Sequence, residues 1–149
     1  MWEGQHREAV KLIGQKRIIA RLLIEFGPGE YERADELCVV DTGADMTTIP
    51  QRIWKWFLTE GSVRAGEKSN PKGVGGSVEV FKHRLTLRLR GLGDHEPLVL
   101  GECDVWLAFD ESAGKPMRQV LFGVGGGALD KGGLCINWKQ GQFWFVEVM

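Results

Sequence analysis

The sequence predicts a small, mostly β domain, closed or sandwich-like, and three observations carry that expectation. Residues 81–90 alternate almost without a break: Phe81, Leu85, Leu87 and Leu89 share one parity, and Lys82, Arg84, Thr86, Arg88 and Arg90 share the other. That is the period of a half-buried strand. Apolar, β-branched runs stop abruptly at turn-forming residues, as residues 18–26 do at Gly27-Pro28-Gly29. The 21 glycines follow no fixed period, so they punctuate short segments and do not form a linker or a collagen-like repeat. Several strands at short intervals favour a closed or sandwich-like β domain over a βαβ arrangement.

Taken in chain order, residues 18–26 form the first long strand. Residues 37–40 are a second apolar run that ends at Asp41-Thr42-Gly43, where a loop begins because glycine reaches backbone angles denied to other residues. Pro50 opens the one convincing helix, residues 51–58, with Ile53, Trp54, Phe57 and Leu58 in i, i+3, i+4 relation. The strand at 81–90 follows. Its His83 falls on the apolar parity and reads as a strand-end histidine near the surface in preference to a ligand. Cys103, Val105, Leu107 and Phe109 alternate against Asp104, Trp106 and Ala108, and residues 143–148 close the chain with another β-rich run.

At 149 residues and 43% hydrophobic positions, the chain is long and apolar enough to bury one core without staples. The 19 basic and 20 acidic residues nearly cancel, so no electrostatic footprint points to nucleic acid or an anionic membrane surface as partner. No stretch approaches the roughly 20 apolar residues that span a bilayer. Cys38, Cys103 and Cys135 are too few and too widely spaced for a zinc site or a disulfide framework. A reducing compartment and a cytoplasmic location are therefore expected, with no metal and no cofactor.

The chemistry sits in Asp41-Thr42-Gly43-Ala44-Asp45, between Leu37-Cys38-Val39-Val40 and Thr47-Thr48-Ile49-Pro50. A lone Asp-Thr-Gly arises often by chance, and alone Asp41 would only cap a turn. With both flanks, the segment resembles the active-site loop of retropepsin-like aspartic proteases. The resemblance implies a closed, barrel-like acid-protease fold with one or two short helices. It also implies Asp41 as the catalytic carboxylate, a Thr42 hydroxyl that bonds across to the opposite loop, and Asp45 bonding the main chain of a peptide or protein substrate. Gly43 permits the tight turn and small Ala44 leaves room for substrate backbone. Two adjacent carboxylates cannot both ionise comfortably and hold one proton between them, so one acts as base and the other as acid. The chain has only one such triplet. The second aspartate is therefore expected from a second copy, in a homodimer whose two-fold axis brings the two Asp41 side chains together.

Lys72-Gly73-Val74-Gly75-Gly76-Ser77 resembles the glycine-rich flap of the same family, so Gly73, Val74, Gly75, Gly76 and Ser77 are expected over the substrate. Val120-Leu121-Phe122-Gly123 resembles the family's late apolar strand. The family then usually continues with Arg, then Asp or Asn, then a short helix, whereas Val124-Gly125-Gly126-Gly127 stands here. Three glycines in succession should delay that helix to Ala128 or abolish it, at about 1 kcal/mol each relative to alanine. Residues 134–138 and 142–145 look like the closing hairpin. The resemblance covers roughly residues 18–148, giving a protease domain at 18–149. Residues 1–17 precede it and are expected either to add an interface strand or to remain mobile.

Three rival readings are weaker. Gly123-x-Gly125-x-Gly127 matches neither the dinucleotide fingerprint nor the P-loop. A thiol nucleophile pairing Cys38, Cys103 or Cys135 with His6, His83 or His95 would need a reactive cysteine inside an apolar strand, where buried thiols are inert. The six tryptophans, Trp54, Trp56, Trp138 and Trp144 among them, are expected mainly in the core or a dimer interface. The competing function is a dimeric peptide-binding or regulatory module that keeps the retropepsin fold with little or no turnover.

Overall fold

A computed structural model of the chain describes residues 2–7, 11–12, 15–16, 19–41, 43–69, 72–73, 76–77, 79–90, 98–109, 119–130, 132–137 and 142–148, with side chains at 19–41, 43–69, 79–90, 99–109 and 119–130. In chain order its elements are β1 (Trp2–Arg7), β2 (Lys11–Leu12), β3 (Gln15–Lys16), β4 (Ile19–Glu25), β5 (Arg33–Val40), β6 (Thr47–Ile49), α1 (Gln51–Trp54), α2 (Glu60–Arg64), β7 (Glu67–Ser69), β8 (Lys72–Gly73), β9 (Gly76–Ser77), β10 (Glu79–Arg90), β11 (Leu98–Phe109), β12 (Val120–Phe122), β13 (Gly132–Asn137) and β14 (Gln142–Val148). A single 3-10 turn, Glu30–Glu32, precedes β5.

Six strands close on themselves in the order β11-β6-β12-β5-β4-β10, with β10 pairing back to β11 and β7 added outside β10. This is the mostly-β closed barrel that the family resemblance implies, and β10 is the half-buried strand that the alternation of residues 81–90 anticipates. Along β10 the odd-numbered Phe81, Leu85, Leu87 and Leu89 are buried, while Lys82 and Arg84 are exposed. Across β4, Leu22 faces Leu89 and Ile24 faces Leu87, all four fully buried, so register and hydrophobic pattern specify each other. The β4–β5 connection is closed by the Phe26 N–H donating to the Glu32 carbonyl at 2.8 Å, and Gly29 N–H donates to Glu32 Oε2 at 2.8 Å.

The helical content differs in detail from the sequence expectation. Helix α1 ends at Trp54, and the chain continues to Leu58 through turns, with Phe57 N–H and Leu58 N–H both donating to the Trp54 carbonyl. A second short helix, α2, follows; its Thr59 cap accepts the Ser62 N–H at Oγ1, 3.2 Å. Trp54 is fully buried, stands edge-on to Phe109 at 5.0 Å, and donates its indole N–H to the Ala108 carbonyl at 2.9 Å. That carbonyl lies just past Leu107, the last β11 residue paired with β6, so the indole ties α1 to the barrel wall where the ladder ends. Trp56 is 74% exposed in the single chain, so it takes no part in the core.

His83 is also corrected. It lies within β10 opposite Val105, half-buried, with ring Nε2 2.7 Å from the Val63 carbonyl, which makes it a tie between β10 and α2. Outside the barrel, β14 pairs antiparallel with both β1 and β13, so the β1 segment and the closing hairpin form one three-stranded sheet. Among the described residues no helix is long and apolar enough to cross a membrane.

Candidate active site

Two strands and the strand between them create the site. β12 runs parallel to β5, with Phe122 beside Val40, and antiparallel to β6, with Leu121 beside Thr48. The chain leaves β5 at Val40, bends at Asp41 and residues 43–46, and returns as β6 on the far side of β12. That loop therefore straddles β12, and residues 123–127 pass directly against it.

Hydrogen bonds fix the loop from inside and outside. Asp41 N–H donates to the Phe122 carbonyl at 3.0 Å, continuing the β5–β12 ladder by one residue. The Asp41 carbonyl accepts the Ala44 N–H at 3.1 Å, and Asp41 Oδ1 accepts the Gly43 N–H at 2.9 Å, so the triplet orients its own carboxylate. From the other side, Val124 N–H donates to the Ala44 carbonyl at 3.2 Å, and Gly123 N–H donates to Oγ1 of buried Thr47 at 3.2 Å. The Gly126 carbonyl accepts the Asp104 N–H at 2.7 Å, anchoring the segment to β11. Asp41 is half-buried, and Gly43 and Asp45 are exposed.

Close approach explains the glycines. A Cβ on Gly125 would lie well under 3.0 Å from the Asp45 carbonyl oxygen, and one on Gly126, whose φ is +72°, would crowd that of Asp104 as closely. Main chain meets main chain at both points, so neither contact yields to a side-chain rotation. Residues 125–130 are turns, so the three glycines abolish the expected helix in this stretch.

The solved structure of a retropepsin-like aspartic protease from Rickettsia conorii matches with a TM-score of 0.60 over 99% of this chain and 93% of its own, at 8% identity. The chain has the retropepsin-like fold. The EIAV protease, solved with the inhibitor HBY-793, matches with a TM-score of 0.40 and 20% identity over 76% of this chain and 88% of that one. No family model and no curated protein matches the sequence.

Within this retropepsin-like fold the expected site residues divide into three groups. Asp41, Gly43, Ala44 and Asp45 stand together on the loop just described. Gly73, Gly76 and Ser77 belong to a two-stranded ladder in which Lys72 faces Ser77 and Gly73 faces Gly76, which spaces them as a hairpin. Thr42, Val74 and Gly75 lie outside the described residues. Where β10 begins, Glu79 receives Arg64 at 2.5 Å and Lys68 at 3.2 Å, and these two bonds hold its carboxyl below the usual range. Arg64 also stacks over Phe109 at 4.1 Å, so α2, β7 and the start of β10 are braced together.

Sequence reasoning missed Asp104 as a support of the loop and read Thr47 only as part of the motif's flank. Neither supporting contact is visible locally, because the partners, Gly126 and Gly123, are 22 and 76 residues away. A shallow depression bordered by Phe26, Gly27, Pro28 and Arg84 includes no residue of the Asp41 loop.

Thiol chemistry finds no support among the described side chains; those of Cys135, His6 and His95 lie outside them. Cys38 and Cys103 are both buried, and burial pushes the Cys38 thiol up to about 12. Among the described residues no cluster of His, Cys, Asp and Glu could hold a metal ion. The raised Cys38 pKa ties stability to pH. The unfolded chain loses this proton from about pH 9.0 upward and the folded chain only near 12, so the thiol's contribution to stability is intact below about 9 and falls away between the two. Native protein at pH 8 should leave Cys38 unmodified by iodoacetamide, with modification appearing only on unfolding; mass spectrometry of the digested peptide reads this.

Proposed function

We propose that the chain is an aspartic endopeptidase acting as a homodimer, in which Asp41 of each copy supplies one carboxylate of a shared pair. The observation that carries this reading is the held Asp41 loop: one Asp-Thr-Gly at the end of an apolar strand, its carboxylate oriented by Gly43 N–H and its backbone fastened to β12. A single chain offers that triplet once, and water activation of this kind needs two carboxylates.

In the proposed reaction the ionised carboxylate takes a proton from water as its oxygen attacks the peptide carbonyl carbon. The protonated carboxylate gives its proton to the carbonyl oxygen, forming a neutral gem-diol. The carbon–nitrogen bond then breaks as the amine takes a proton from the first carboxyl and the diol returns one to the second, which restores the starting pair. No covalent intermediate with the enzyme forms. Asp45 is proposed to bond substrate main chain, Thr42 to bond across to the partner loop, and residues 73–77 to close over the peptide as a flap.

The test is cleavage of a mixed peptide library across about pH 3 to 7, where a carboxylate pair titrates, together with sedimentation with and without a hydroxyl-bearing peptidomimetic. Cleavage with a bell-shaped profile and an inhibitor-stabilised dimer are expected. A dimer that binds the peptidomimetic and cleaves nothing at any pH would identify a binding module; a chain that stays monomeric with inhibitor would reject the dimer.

A further inference from the structure

We propose that the main chain of Val124 and Gly125 is the positioning element for Asp45, so that Gly125, through its missing side chain, sets the affinity for substrate backbone. The inference rests on the protease reading above and deepens it.

Two contacts meet residues 44 and 45, and a third holds the segment that makes them. Val124 N–H holds the Ala44 carbonyl at 3.2 Å, and the Gly125 backbone lies so close to the Asp45 carbonyl that a Cβ would overlap its oxygen. The next residue, Gly126, is itself fixed to β11 through the Asp104 N–H at 2.7 Å, so the segment cannot retreat without breaking a barrel contact. Asp104 is further held by Arg84 Nη1 at 3.2 Å. Asp41 has separate fastenings, the Phe122 carbonyl and the Gly43 N–H. Displacing residue 125 therefore moves the Asp45 end of the loop and leaves the Asp41 end in register.

The consequence is a split between binding and turnover. Gly125→Ala is expected to raise KM by at least about tenfold and leave kcat within about threefold, because the contact it disturbs precedes the chemical step. In an Asp45→Ala background the same change should have little further effect on KM. An amide-to-ester replacement at residue 124 removes the N–H bonded to Ala44 without adding an atom; it should raise KM in the same direction. Calorimetric binding of a hydroxyl-bearing peptidomimetic reads the same contact without turnover and should weaken in step with KM.

A folded ester variant with unchanged KM and unchanged inhibitor affinity would overturn the inference, as would a loss confined to kcat. If Gly125→Ala fails to fold, the ester variant decides alone. Asp41→Asn separates the two levels. Should it cleave as well as wild type, the protease reading falls; should it be inactive while the ester variant keeps its KM, only the role of Val124 and Gly125 falls. A wild type that neither cleaves nor binds the peptidomimetic overturns both.

Discussion

Asp41→Asn is expected to reduce peptide-bond cleavage by about 10²- to 10⁴-fold, the range that a general acid–base group contributes. Asparagine keeps the size of the side chain and its Oδ1, so the Gly43 N–H bond at 2.9 Å survives, as does the main-chain bond from residue 41 to Phe122. What disappears is the ability to ionise. Melting temperature should therefore stay within about 2 °C of wild type, as for other isosteric changes at half-exposed positions. The pH profile carries the finer information. Wild type should show two apparent pKa values belonging to the pair and not to either residue, and any residual cleavage by the variant should lack that bell. Equal cleavage by both proteins would remove Asp41 from the chemistry.

The largest effect on stability is expected at Trp54. Its side chain is fully buried, packs against Phe109, and satisfies the Ala108 carbonyl through the indole N–H. Trp54→Ala removes the packing and leaves a cavity, which should cost about 3–5 kcal/mol and lower the melting temperature on the order of 10 °C. Trp54→Phe keeps much of the volume and isolates the lost hydrogen bond, for which about 1–3 kcal/mol is expected. Because α1 begins two residues after β6 ends, the same indole steadies the strand that receives the Asp41 loop. Calorimetry on the two variants separates the terms; near-equal melting temperatures for wild type and Trp54→Ala would mean that the indole is not the anchor described.

The barrel was legible where burial is local. The alternation of residues 81–90 gave β10 its faces, and the apolar stop at Asp41 gave the end of β5, because each depends only on neighbours in sequence. β5 and β11 run longer than the apolar runs that announced them, whereas β4 is slightly shorter than residues 18–26. β5 begins at Arg33, where Ala34 is buried between exposed residues, and β11 begins at Leu98.

Helix α2 carried only a weak signal. It spans five residues, includes Gly61, and is set by a Thr59 cap and by contacts of Val63 and Arg64 with β10 and β11 that no short window reveals. The glycines at 123–127 mattered most. As sequence they look like a defect in the pattern, a helix start replaced by residues that oppose helix. In space Gly123, Gly125 and Gly126 are the places where one backbone crosses another, at Met46, Asp45 and Asp104. That crossing depends on β12 lying between β5 and β6, a topological fact, so the reason for the glycines could be read only from the fold.

The most direct measurement of the shared site is a mixing titration, in which wild type is diluted into a fixed total of protein with increasing Asp41→Asn under conditions of free subunit exchange. Activity is expected to fall as the square of the wild-type fraction, since a mixed dimer holds one ionisable Asp41 where two are needed. A strictly linear fall, with each wild-type chain keeping its full activity beside a partner that carries the Asp41→Asn substitution, would contradict a carboxylate pair built from two copies.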